Sequence, residues 1–127
     1  MKKYVALLFS MLFIITLVIA CGRNMTPTEV AKAFAEALMK GDTQTTKRLL
    51  SKKALKKYEG VERQKGEAID KLLQENLAVT SPEKCHNEKI EGERATVECE
   101  SALGPLSVPL VKDDGVWKIQ PRFADAD

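Results

Sequence analysis

Residues 84–101 read KCHNEKIEGERATVECES, and their second half decides the fold. Ala95, Val97 and Cys99 alternate with Arg94, Thr96, Glu98 and Glu100. That period of two predicts a half-buried strand over Arg94–Ser101. The run before it, Lys84 to Ile90, predicts its partner, joined through the turn Glu91-Gly92-Glu93. Downstream, Leu103-Gly104-Pro105 turns the chain, and Leu106, Val108 and Leu110 line one face of a third strand. Asp113-Asp114-Gly115 is a strong hairpin signal. Val116 to Gln120 closes the set, and Pro121 ends it. Pro109 has no N–H, so its strand is locally an edge or faces outward there. Leu77 to Thr80 reads as a further short strand, ended by Ser81-Pro82.

Upstream the pattern is helical. Thr26-Pro27-Thr28-Glu29 combines a capping box with proline at the first helical position. Met25 and Val30 are spaced to staple across it. Val30, Phe34 and Leu38 recur every four residues beside Ala31 and Ala35, a stripe that predicts a buried face. Gly41 supplies the stop after Lys40. Asp42 caps a second short helix ending in Leu49 and Leu50. Ser51 caps a third, Lys52 to Tyr58, stopped by Gly60. A fourth, Glu67 to Glu75, carries Ile69, Leu72 and Leu73 on one side. Helices followed by an antiparallel meander give the α+β class: N-terminal helices packed on a curved sheet.

The first stretch belongs to a different problem. Lys2 and Lys3 precede an apolar run over residues 4–20, YVALLFSMLFIITLVIA. It is either a secretory signal or a membrane span. Its end favours the signal. Val18-Ile19-Ala20-Cys21 resembles the lipobox of bacterial lipoproteins, in which the cysteine thiol receives a diacylglyceryl group and cleavage follows before it. The resemblance implies a signal peptide over 1–20, lipidation at Cys21, a tether over 21–25, a domain over 26–121 and a tail over 122–127. It also implies attachment to a cell membrane or outer membrane outside the cytoplasm. Gly22 carries no acidic side chain, which by family analogy favours the outer membrane in a Gram-negative cell.

Removal of residues 1–20 takes the basic count from 20 to 18, equal to the 18 acids. A net charge near zero excludes a nucleic-acid argument from overall charge. Of 3 cysteines, lipidation of Cys21 leaves Cys85 and Cys99 as an even pair in an oxidising compartment. The two stand equidistant from Gly92, so a three-residue turn centred there sets them opposite each other, within reach of a disulfide. The rival metal reading lacks ligands, because His86 is the only histidine and lies on the other strand face. The same register sets His86 against Glu98. That pair reads as a general base or, more simply, as an exposed cross-strand polar pair. No nucleophile accompanies it.

Residues 47–57, KRLLSKKALKK, hold six bases and no acid. Lys52, Lys53, Lys56 and Lys57 are therefore candidates for contact with anionic lipid, against the alternative of a solvated helix face. Trp117 and Phe34 read as core. Glycines 60 and 66 fit no phosphate loop.

The order of elements also resembles the small bacterial lipoprotein domains of nuclear-transport-factor-two-like (cystatin-like) fold. The residues that carry this are Thr26-Pro27 with Val30, Phe34 and Ala37; Lys40-Gly41-Asp42; and Val108-Pro109-Leu110-Val111 leading to Trp117-Lys118-Ile119. The resemblance spans roughly 26–121, except for the polar stretch 61–76. It implies a sheet wrapped around the first helix, often with a cleft, and no particular reaction. The expectation is a non-enzymatic binding or structural module without cofactor. Its partners would be the membrane, another envelope protein or a small ligand. An enzyme using the cleft would need polar, titratable groups inside it, and the sequence offers few inward candidates, Asn87 and Lys89. An inhibitor or immunity-type lipoprotein would need a contiguous exposed patch.

Overall fold

The computed structural model describes residues 25–77 and 82–124. Among these residues four helices, α1 Pro27–Lys40, α2 Thr43–Leu49, α3 Lys52–Lys65 and α4 Ile69–Leu77, precede four strands. The strands are β1 Cys85–Glu91, β2 Arg94–Ser101, β3 Gly104–Asp113 and β4 Val116–Ile119. They form one antiparallel sheet in the order β1-β2-β3-β4. The α+β class expected from the sequence is the one observed.

The first helix begins and ends as its sequence dictates. Thr26 Oγ1 accepts the Glu29 amide at 3.2 Å, and Glu29 Oε2 accepts the Thr26 amide at 3.1 Å. Gly41 closes the helix in the left-handed region, φ 67°, where a side chain would be strained. Val30, Ala31, Phe34 and Leu38 are buried against the inner face of the sheet, which presents Ala95, Val97, Val108 and Leu110. The remaining helices close the core from the side with Leu50, Ala54, Tyr58, Ile69 and Leu73. Met25 stays 37% exposed, whereas Val30 is buried.

Three sequence expectations are corrected. The third helix does not stop at Gly60 but continues to Lys65 and is capped by Gly66, φ 69°, whose amide donates to the Glu62 carbonyl at 2.8 Å. A helical glycine costs only about 1 kcal/mol relative to alanine. The helix formers that follow Gly60, with Tyr58 and Ala54 buried on one face, outweigh that cost. The fourth helix starts at Ile69 rather than Glu67 and includes Leu77, so the strand read from Leu77 loses its first residue; its remainder, 78–80, lies outside the described residues. Finally, the β1–β2 connection is a two-residue turn, since Glu91 pairs with Arg94 around Gly92 and Glu93. Gly92 has φ 61°, at the position where a type II′ hairpin turn calls for glycine.

Pro109 has a definite structural consequence. Its carbonyl accepts the Gln120 amide at 2.9 Å, so its nitrogen faces the same side, toward β4. A residue with an N–H there would extend the ladder; proline ends it at Ile119. The chain between α2 and α3 covers the other edge of β4. Leu50 bridges Ile119, and the Ser51 amide donates to the Ile119 carbonyl at 2.8 Å. The 3₁₀ turn Arg122–Ala124 follows, with Ala124 in the core.

Tyr58 is 4% exposed, and burial pushes its phenol well above the ordinary 10.0. A raised folded-state value means that the stability linked to Tyr58 is complete below about pH 10 and declines as the pH rises beyond it. In a Tyr4→Phe chain, where Tyr58 is the remaining tyrosine, phenolate absorbance should rise only together with loss of the far-ultraviolet dichroism. A phenol that ionises near its ordinary value in a still-folded domain would contradict this burial.

Candidate functional site

Cys85 and Cys99 are partners across β1 and β2 and are joined by a disulfide. The register that brings them together is built differently from the one expected. Three pairs next to the turn, ending at Lys89 with Thr96, follow the two-residue turn; a β-bulge between His86 and Lys89 then shifts the pairing by one residue. Asn87, φ 55°, adopts the left-handed conformation that the bulge requires, which asparagine tolerates better than most residues. Its Nδ2 donates to Glu98 Oε2 at 2.9 Å. The shorter turn and the extra bulge residue offset each other, so the cysteines still meet. Both are buried.

The bulge also redirects Glu88. Its Oε1 accepts the Thr28 amide at 2.9 Å and the Thr28 hydroxyl at 3.0 Å. A carboxylate thus sits at the N-terminus of α1, where unpaired amides and the helix dipole favour negative charge. Sequence reasoning missed Glu88 because the contact spans sixty residues. Asn87, a residue that tolerates the left-handed conformation, was the available signal of the bulge.

His86 pairs with Glu98 as expected, but its ring Nδ1 lies 3.2 Å from the Glu98 backbone carbonyl, and the Glu98 carboxylate is held by Asn87. The arrangement is that of an exposed polar pair. The two inward polar candidates for a cleft are corrected. Asn87 and Lys89 are both exposed, Lys89 opposite Thr96 on the outer sheet face, because the bulge and the strand alternation turn them outward. The inner face is filled by α1. Phe34 is 1% exposed and Trp117 is buried, as core residues should be.

The basic run divides. Lys52 Nζ lies 2.6 Å from Asp114 Oδ2 at the β3–β4 turn, a hydrogen-bonded pair that holds the lysine above and the aspartate below their ordinary pKa values. The Lys52 amide donates to Asp113 Oδ2 at 2.8 Å, and Ser51 Oγ accepts the Ala54 amide, so α3 is capped from both its own chain and the hairpin. Lys53, Lys56 and Lys57 line a separate shallow concavity with Gly60, Gln64 and Ala124 along the flank of α3.

A second surface feature lies where the chain enters the domain. Met25, Ile90, Lys112, Gly115 and Trp117 border a groove of about 260 Å³. Lys112 Nζ stands 5.1 Å from the centroid of the Trp117 ring, within cation–π range. Cys21 lies outside the described residues. Among the described residues, no cluster of three or more histidine, cysteine or acidic side chains could hold a metal ion, and no helix is long and apolar enough to cross a membrane. Comparison with protein-family models, with curated proteins and with solved structures finds no match.

Proposed function

We propose that the chain is a lipid-anchored protein of the cell envelope, attached through Cys21, whose domain acts as a non-enzymatic binding or structural module. The observation that carries this reading is the sequence Val18-Ile19-Ala20-Cys21 at the end of an apolar run, five residues before a capped helix begins. The disulfide supports it, since such bonds persist in oxidising compartments. The packing of α1 into the sheet supports a module over an enzyme, because that face offers buried apolar side chains where a reaction would need polar ones. Helix α1 laid against a four-stranded meander also supports likeness to the nuclear-transport-factor-two-like lipoprotein domains. In this reading Lys53, Lys56 and Lys57 supply a flanking charge that draws the domain toward anionic headgroups within a Debye length of about 8 Å.

The test is direct. In cells fed a clickable fatty acid, the wild-type chain should be labelled and processed, and Cys21→Ser should remain unlabelled and keep its first twenty residues. Continued labelling of the variant, or no labelling of the wild type, would remove the lipid anchor.

A further inference from the structure

The antiparallel order puts two turns at one end of the sheet, Gly92–Glu93 and Asp114–Gly115, and the third, Ala102–Leu103, at the opposite end. The chain enters at the first end, beside the groove of Met25, Ile90, Lys112 and Trp117. Among the apolar side chains there, Ile90 is 53% and Met25 37% exposed. The groove sets the exposed Met25 and Ile90 and the edge of the otherwise buried Trp117 indole beside two charged groups, Lys112 and the Glu88 carboxylate that caps α1, and the boundary layer of a bilayer takes apolar bodies with polar tips.

We infer that this end is the footprint on which the domain stands, end-on, against a phospholipid headgroup layer. The inference rests on the lipid-anchor reading. From an acylated Cys21 the chain reaches Met25 within about 15 Å even when fully extended, so the groove cannot leave the vicinity of the headgroups. The lysine flank is oriented otherwise. Helix α3 starts at this same end, where Lys52 meets Asp113 and Asp114, and its later turns pack beside the 3₁₀ turn that follows β4. It therefore runs away from the footprint, and at 1.5 Å per residue Gln64 lies about 18 Å farther along it than Lys52. Leu103, 94% exposed at the far turn, becomes the point most distant from the bilayer.

The chain's single tryptophan is a native probe of this arrangement. Acylated full-length protein is reconstituted into vesicles of phosphatidylethanolamine and phosphatidylglycerol with a nitroxide on a fraction of the headgroups. Trp117 fluorescence should be quenched, and quenching should persist in high salt because the contact is mainly apolar. Two reporters in a Trp117→Phe background, Gln64→Trp and Leu103→Trp, should each be quenched less than about half as much, since they sit about 18 Å and about 30 Å along their elements from the footprint. Strongest quenching at Gln64→Trp would lay the domain on its lysine flank, strongest quenching at Leu103→Trp would invert it, and an unquenched Trp117 would hold it off the surface; each overturns the footprint. Mass analysis of the same preparation separates the two readings. An acylated chain with unquenched Trp117 overturns the footprint alone, whereas a chain without acyl groups at Cys21 overturns the anchor and the footprint together.

Discussion

Replacing Phe34 with alanine should cost the domain about 3–5 kcal/mol, the range for deleting a buried aromatic side chain. Phe34 sits in the middle of α1 with 1% exposure, at the point where the helix stripe meets the sheet. Its ring has no route to water, and the strands behind it are fixed to one another by backbone hydrogen bonds, so the cavity left by truncation cannot easily collapse. A domain of this size has a total stability of about 5–15 kcal/mol, and the loss would leave a large fraction of the variant unfolded at modest urea concentrations. Urea denaturation followed by Trp117 fluorescence and by far-ultraviolet dichroism measures it. Phe34→Leu, which keeps most of the volume, should cost much less. A Phe34→Ala loss below about 1 kcal/mol, the scale of an ordinary surface change, would mean that α1 does not pack as described.

The second large effect concerns the disulfide. Opening it should lower stability by about 2–4 kcal/mol, chiefly by restoring freedom to the unfolded chain. The expected value lies toward the lower part of that range, because a hairpin already brings its own strands together. Cys85→Ala and Cys99→Ala, made singly or together, should cost nearly the same, since either one breaks the bond. Reduction of the wild type should match them. With both sulfurs buried, a reductant should act only as fast as the hairpin opens. Equal urea midpoints for oxidised and reduced protein would show that the bond contributes nothing.

Local chemistry was readable where the signal and the structure it specifies lie within a few residues. The capping box at Thr26, the glycine stop at Gly41 and the Asp114-Gly115 turn all formed as their residues require. Gly60 misled because a glycine inside a run of helix formers costs only about 1 kcal/mol, and the helix runs on through Glu62, Arg63, Gln64 and Lys65 to a better-placed stop at Gly66. The hairpin shows a subtler limit. Opposition of Cys85 and Cys99 followed correctly from a wrong turn length, because the bulge at Asn87 compensates for the shorter turn. Nothing within either strand reveals such a compensation. The tie between Lys52 and Asp114, and the cap that Glu88 places on α1, depend on tertiary placement. The lysine run looked uniform as sequence, yet only part of it shares one face.

The proline at position 109 bears on how copies of this protein behave as neighbours. Alternation along β3 points Pro105, Ser107 and Pro109 toward the side that β4 no longer covers beyond Ile119. Of these three, Ser107 alone brings an N–H. A second molecule approaching that edge would find one donor where a continuous ladder needs one at every other residue. Proteins confined to a membrane plane collide far more often than the same number dissolved in a volume, and a uniform strand edge would turn such collisions into growing ribbons. If the chain is held at a membrane as proposed, Pro105 and Pro109 take from that edge two of the three donors along which neighbouring copies would pair.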